Sequence, residues 1–196
     1  MIITVSREFG ASGREVAKLL AKELNYQYFD KEILKETSKV SGLCLDYLDK
    51  QDEKSFNSFL SSLMSSTSAI NGKESMEDII LKANKEAIIN IANKDNVVIV
   101  GRCADYILKD YSNVLRVFIV ANDEYRISHV ASRDNLTLIE ASKKIRKMDK
   151  IRANYYQNYT DATFGDPSNY DLCLNVASLG KEKVVKIIKK LVKGEE

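Results

Sequence analysis

The chain has 196 residues, 44% of them apolar, and a formal net charge of +2 from 30 basic and 28 acidic side chains. That length and apolar content suit one compact α/β domain with room for a small excursion, and the near-balance of charge argues against a general nucleic-acid binder. Widely spaced Cys44, Cys103 and Cys173 and the single histidine, His129, give no zinc-ligand pattern; reduced thiols in a cytoplasmic protein are expected, with no leader and no apolar run long enough for a membrane span.

Ile2–Val5 reads as a short buried strand. Phe9-Gly10-Ala11-Ser12-Gly13-Arg14 follows as a glycine-containing turn, and Glu15–Leu24 then carries Val16, Ala17, Leu19, Leu20 and Leu24 at helical spacing. Strand, loop and helix in that order can form an anion cradle, because the loop amides and the positive end of the helix dipole point the same way. The loop departs from the pattern G-x-x-x-x-G-K-[ST]. With Gly13 taken as the second glycine, Glu8 stands for the first, Arg14 for the lysine and Glu15 for the hydroxyl residue. Gly10 and Gly13 still let the backbone approach a phosphate, and Arg14 is a permanent cation with a planar fork. The hydroxyl that would face Mg²⁺ is missing. Taken alone, the loop is equally consistent with an ordinary βα turn.

A second strand, Tyr26–Phe29, ends in Asp30-Lys31, where Asp30 either caps the next helix or meets a ligand, and both roles are compatible. Ser55–Ser75 is rich in Ser and Asn with scattered large apolar residues, and is read as a helical arm that closes over a ligand or meets a second copy of the chain. Met76, Ile79, Ile80, Ala83, Ala87 and Ile91 predict an amphipathic helix. Val97–Gly101 and Leu115–Val120 are continuously apolar, as strands covered on both faces are, and Leu172–Val176 supplies a fifth. Val184, Val185, Ile187, Ile188, Leu191 and Val192 mark a last helix. This alternation predicts a parallel sheet with helices on both faces. Ligands bind such sheets beyond the carboxyl ends of the strands, so Ser6–Arg14, Asp30-Lys31 and Gly101-Arg102 belong to one rim. Arg102 either points to a ligand there or pairs at the surface with Asp105. Cys103 and Cys173, in or beside strands, read as small buried hydrophobes, and His129, among Ile127, Val130 and Ala131, reads as structural.

Arg133–Asp171 opens as a basic helix and ends in an aromatic, turn-rich segment. Arg146, Asp149 and Arg152 recur every three residues along one side of it. Two guanidinium groups flanking a carboxylate can grip phosphate oxygens, although a solvated, salt-bridged face has the same pattern. Arg14, Arg102, Arg146 and Arg152 together supply the cations that phosphoryl transfer needs, without any nucleophile.

With these residues assembled, the chain resembles the cytidylate kinase-like family, a branch of the nucleoside monophosphate kinases. The resemblance is carried by Ile3–Glu15, Tyr28-Phe29-Asp30-Lys31-Glu32, Val100–Asp105, Arg146–Arg152 and Tyr170–Asn175, in the family's order over nearly the whole chain. It implies a three-layer P-loop fold with a five-stranded parallel sheet, spanning residues 1–196 as one domain, with a helical excursion at about 40–75 and a mobile lid at about 133–170. By similarity, Gly10, Ala11, Ser12, Gly13, Arg14 and Glu15 would hold the ATP phosphates, and Arg14, Arg146, Asp149 and Arg152 would act at the transferring phosphoryl group. Arg7, Asp30, Lys31, Arg102 and Asp105 would face the acceptor. The implied activity is ATP- and Mg²⁺-dependent phosphorylation of a nucleoside monophosphate, CMP or dCMP first. No metal-ligating side chains, nucleic acid or membrane are implied, and a homodimer is an open possibility. Two alternatives stand beside it: a non-catalytic nucleotide- or anion-binding relative, to which Arg14 and Glu15 point, and a kinase for another small phosphorylated metabolite.

Overall fold

The apolar runs pair with one another as their two-sided hydrophobicity demands. In the computed structural model, which describes residues 1–46, 48 and 76–194, β1 (Ile2–Arg7), β2 (Gln27–Phe29), β3 (Val97–Val100), β4 (Val114–Val120) and β5 (Leu172–Asn175) form a five-stranded sheet in the order β2-β3-β1-β4-β5. Every neighbouring pair is parallel. The helices are α1 (Gly13–Leu24), α2 (Glu32–Ser41), α3 (Met76–Ala92), α4 (Ala104–Ile107), α5 (Asp123–Asp134), α6 (Leu138–Tyr159), α7 (Val176–Leu179) and α8 (Lys181–Lys193). β1 runs two residues beyond its predicted end because Ser6 and Arg7 pair with Phe118 and Ile119 of the longer β4. That extension carries the backbone to the start of the loop.

The described chain divides into two compact units, residues 1–30 with 92–196, and residues 31–91. In the first, Ile3 and Val5 of the central strand, Val98 and Val100 of β3, and Val117 and Ile119 of β4 face Val16, Ala17 and Leu20 of α1 and Val184, Val185 and Ile188 of α8. These side chains are almost fully buried, each worth roughly 1.5–3 kcal/mol of transfer free energy. The opposite face of β4 meets an aromatic cluster, with Phe118 against Phe164 and Tyr170, and Tyr156 of α6 against Phe164. In the second unit, Thr37 of α2 donates to Asn84 Oδ1 of α3 at 2.7 Å, so two buried polar groups satisfy each other.

Cys103 is buried as expected, but Cys173 is exposed. The reason is topological: β5 is an edge strand, and its residues alternate between a covered and an open face. The predicted arm at Ser55–Ser75 lies outside the described residues. Among the described residues no helix is long and apolar enough to cross a membrane.

Candidate active site

The carboxyl end of β1 delivers the chain into a loop fixed from several sides. Glu8 N donates to Ile119 O at 3.1 Å, and Glu8 Oε2 accepts from Ala121 N at 3.0 Å, tying the loop to the end of β4. The Phe9 ring packs with Val130 of α5 and with Ala141 and Ile145 of α6. Gly10 sits at φ 86°, and a β-carbon there would lie 2.9 Å from Val130 Cγ2 and 3.1 Å from the Arg126 carbonyl oxygen, so this turn requires glycine. Ser12 takes the left-handed conformation immediately before α1. The first intrahelical bond runs from Val16 N to Ser12 O. The amides of Gly13, Arg14 and Glu15 precede it and are open to an anion at the positive end of the helix.

Asp149 of α6 is the main clamp on this loop. Its Oδ1 accepts from Phe9 N at 2.9 Å and its Oδ2 from Arg126 Nη1 at 2.7 Å. Asp149, flanked in sequence by Arg146 and Arg152, thus holds neither through a hydrogen bond: the arginine it holds is Arg126 of α5, 23 residues away in sequence, which sequence spacing does not single out. Arg126 also donates to Asp123 and lies 3.8 Å from Glu8. Burial works against its charge, yet these carboxylates outweigh burial and raise its pKa. The signal that could have found it is an arginine one turn before Val130 on a helix face that is otherwise buried.

Four sequence-selected arginines have different fates. Arg152 Nη1 donates to the Arg7 carbonyl at 2.9 Å, and its guanidinium stacks on Phe9, as does that of Arg133. Burial, and then repulsion from Arg7, lowers its pKa. Arg14 turns to the rim, where Nε lies 2.7 Å from Asp30 Oδ2 and Nη2 donates to Oδ1 at 3.2 Å. Arg102 follows Gly101 in a run of three positive φ values, 73°, 60° and 56° for Gly101, Arg102 and Cys103, and lies close enough to oppose the charge of Arg7. Arg146 is exposed on α6 and makes no hydrogen bond or ion pair among the described residues, so the structure does not bring it to the loop.

Other predicted contacts are revised. Asp105 does not supply a surface partner to Arg102: it is 2% exposed and accepts from Ser6 Oγ at 3.1 Å and Tyr156 Oη at 2.7 Å. Burial raises its pKa, against the pull of those two bonds. Lys31, and not Asp30, occupies the cap position of α2, without a side-chain cap bond. Asp30 is engaged by Arg14 and by the Tyr28 hydroxyl at 3.3 Å. Glu15 accepts from Lys181 Nζ at 2.6 Å and lies 3.2 Å from His129 Nε2. His129 thus faces the start of α1, and Ser12 Oγ is 3.1 Å from Tyr125 Oη beside it. Among the described residues no group of three or more metal-ligating side chains converges. Glu15, the sequence-level stand-in for the hydroxyl residue, is bound to Lys181.

The profile of the cytidylate kinase-like family matches residues 2–178. The chain belongs to that family. A cytidylate kinase of Sulfurisphaera tokodaii is 26% identical over 189 residues, covering 96% of this chain and 93% of the relative. An uncharacterized protein from Eubacterium ventriosum of known structure superposes with a TM-score of 0.75 at 27% identity, covering 100% of this chain and 99% of that one. Shikimate kinase from Aquifex aeolicus matches with a TM-score of 0.54 at 20% identity, over 99% and 97% of the two chains. That last likeness bears on fold alone, and the fold is that of the P-loop kinases.

Proposed function

We propose that this member of the cytidylate kinase-like family is an ATP-dependent phosphotransferase whose acceptor is a nucleoside monophosphate, with CMP or dCMP as the first candidate. The observation that carries the reading is the gathering of Arg7, Arg102 and Arg152 around the open first turn of α1, in a chain related over nearly its full length to cytidylate kinases. Phosphoryl transfer asks for positioned cations more than for covalent chemistry. In this reading the α1 amides cradle the nucleotide tail, and Arg152, held by the Arg7 carbonyl and the Phe9 ring, faces the migrating group. Arg102 meets the acceptor phosphate. Arg146 would join only after α6 moves, as a lid over residues 133–170 implies. Mg²⁺, where used, would arrive on the ATP phosphates and keep most of its water.

ADP release measured over a panel of nucleoside monophosphates with ATP and Mg²⁺ tests this. Turnover fastest with CMP or dCMP is expected. No turnover with any monophosphate, at enzyme concentrations well above catalytic, removes the reading, while turnover of another phosphorylated metabolite redirects it. The second reading, a relative that binds nucleotide without transfer, is favoured by the Glu15–Lys181 pair. It predicts thermal stabilisation by ATP that is indifferent to Mg²⁺.

A further inference from the structure

The ordinary phosphate loop takes its cation from the residue that opens the helix. Here α1 opens with Gly13, which has no side chain to offer. The space beside it is filled from another direction. A β-carbon on Gly13 would lie 2.6 Å from Arg7 Cβ and 2.8 Å from Arg7 Cγ, and one on Gly101 would fall on Arg7 Nη1. The Arg7 side chain therefore runs from the end of β1 across the mouth of α1 to the turn after β3, and two glycines clear its path. Counted along the structure, the motif shifts by one position from the sequence alignment on Gly13. Arg7 stands at the first glycine and Ser12, already left-handed, at the second. Gly13 stands at the lysine, and Arg14 at the hydroxyl residue. The large and the small side chains have changed places.

Arg7 has the surroundings of a cation awaiting an anion. Its Nε is sealed from solvent with no hydrogen-bond partner, and it forms no ion pair among the described residues. Burial works most against its charge, followed by Arg14 and, more weakly, Arg102, while Asp30 favours it. Arg14, the sequence-level substitute for the lysine, is already held by Asp30. We propose that Arg7 is the phosphate-gripping cation of this loop, reaching the phosphate chain of a nucleotide from the strand side in place of the missing helix lysine, with Gly13 and Gly101 serving as its clearance. This deepens the nucleotide-binding reading above and rests on it.

The experiment is calorimetric titration of the full chain with inorganic tripolyphosphate, with melting temperatures recorded alongside. Arg7→Gln is expected to weaken binding on the order of tenfold or more, the usual loss for a charged hydrogen-bond partner, and Arg14→Gln to weaken it less. Gly13→Ala should lower both the melting temperature and the affinity, since its β-carbon collides with Arg7. The exchange Arg7→Gly with Gly13→Lys, which rebuilds the ordinary pattern, should bind more tightly than Arg7→Gly alone. Parental or tighter binding by Arg7→Gln or Arg7→Gly, the latter marking Arg7 as a plug, overturns the proposal, as does a larger loss in Arg14→Gln than in Arg7→Gln. A parent that binds tripolyphosphate but phosphorylates no monophosphate sinks the kinase reading and leaves this one standing. A parent that binds no tripolyphosphate sinks both.

Discussion

Asp149 shows what a single carboxylate does when two structural duties meet on it. It satisfies the Phe9 amide and neutralises Arg126, whose side chain is 9% exposed. Replacing Asp149 with alanine leaves a largely buried guanidinium without its nearest partner, and the loss should be about 3 kcal/mol of stability, measured by urea denaturation. Arg126→Met/Asp149→Leu should recover much of it, because replacing both members of such a pair costs far less than stranding one. Asp105 makes a prediction in pH. Burial raises its folded pKa above the unfolded value near 3.8, so between those two values the folded state holds the extra proton. Stability from this group is then complete at acid pH and declines as pH rises through the folded value. Urea midpoints at several pH values should show that decline in the parent and its absence in Asp105→Asn. Neither pairing is legible in sequence. Arg126 and Asp149 lie on different helices, and Asp105 meets Ser6 across 99 residues, so spacing arguments confined to one helix assign them the wrong partners.

At the scale of elements, the sheet was readable for a clear physical reason. Val97–Val100 is buried at every position, and Val117–Val120 has helices on one side and aromatic side chains on the other, so their apolar runs are unbroken and stand out against amphipathic helices. Ends were less readable, since β1 gains Ser6 and Arg7 only because β4 is long enough to pair with them. Helix α6 begins with a reciprocal cap, in which Glu140 N donates to Thr137 Oγ1 at 3.3 Å and Thr137 N donates to Glu140 Oε2 at 2.9 Å. Thr137→Ala should lower stability by about 1 kcal/mol, the common worth of such a cap, visible as a lower melting temperature. Because this helix carries Asp149 and Arg152, fraying at its start offers a way to loosen the loop clamp without touching it. The arginine that fills the space beside Gly13 was hidden for a different reason: a motif is a string, and the string anchors on glycines, whereas the exchange of side chains between positions 7 and 13 exists only in three dimensions.

For the whole molecule, the net charge of +2 generates little long-range field. The anion binding proposed above would then rest on the local gathering of arginines, and raising ionic strength should weaken it less than for a globally basic protein, because the cations are partly buried. A ligand present at one hundred times its dissociation constant stabilises the folded state by about 2.7 kcal/mol. ATP at that excess should therefore raise the melting temperature by several degrees, and addition of inorganic tripolyphosphate as competitor should shift bound ATP off, measured by calorimetry. Absence of any such shift would separate the fold, which family and topology establish, from the nucleotide chemistry proposed for it.

The turn after β3 winds in the disfavoured hand for three residues, two of which carry side chains. An L-residue held that way gives up roughly 1–2 kcal/mol relative to the right-handed form, and glycine would sit there at ease. Arg102 is thus a place where sturdiness and charge pull against each other: Arg102→Gly relaxes the backbone while deleting a cation from the rim. A variant library screened for heat resistance alone would drift toward glycine at 102, and one screened for anion capture would hold arginine, so the two selections should part company at this position.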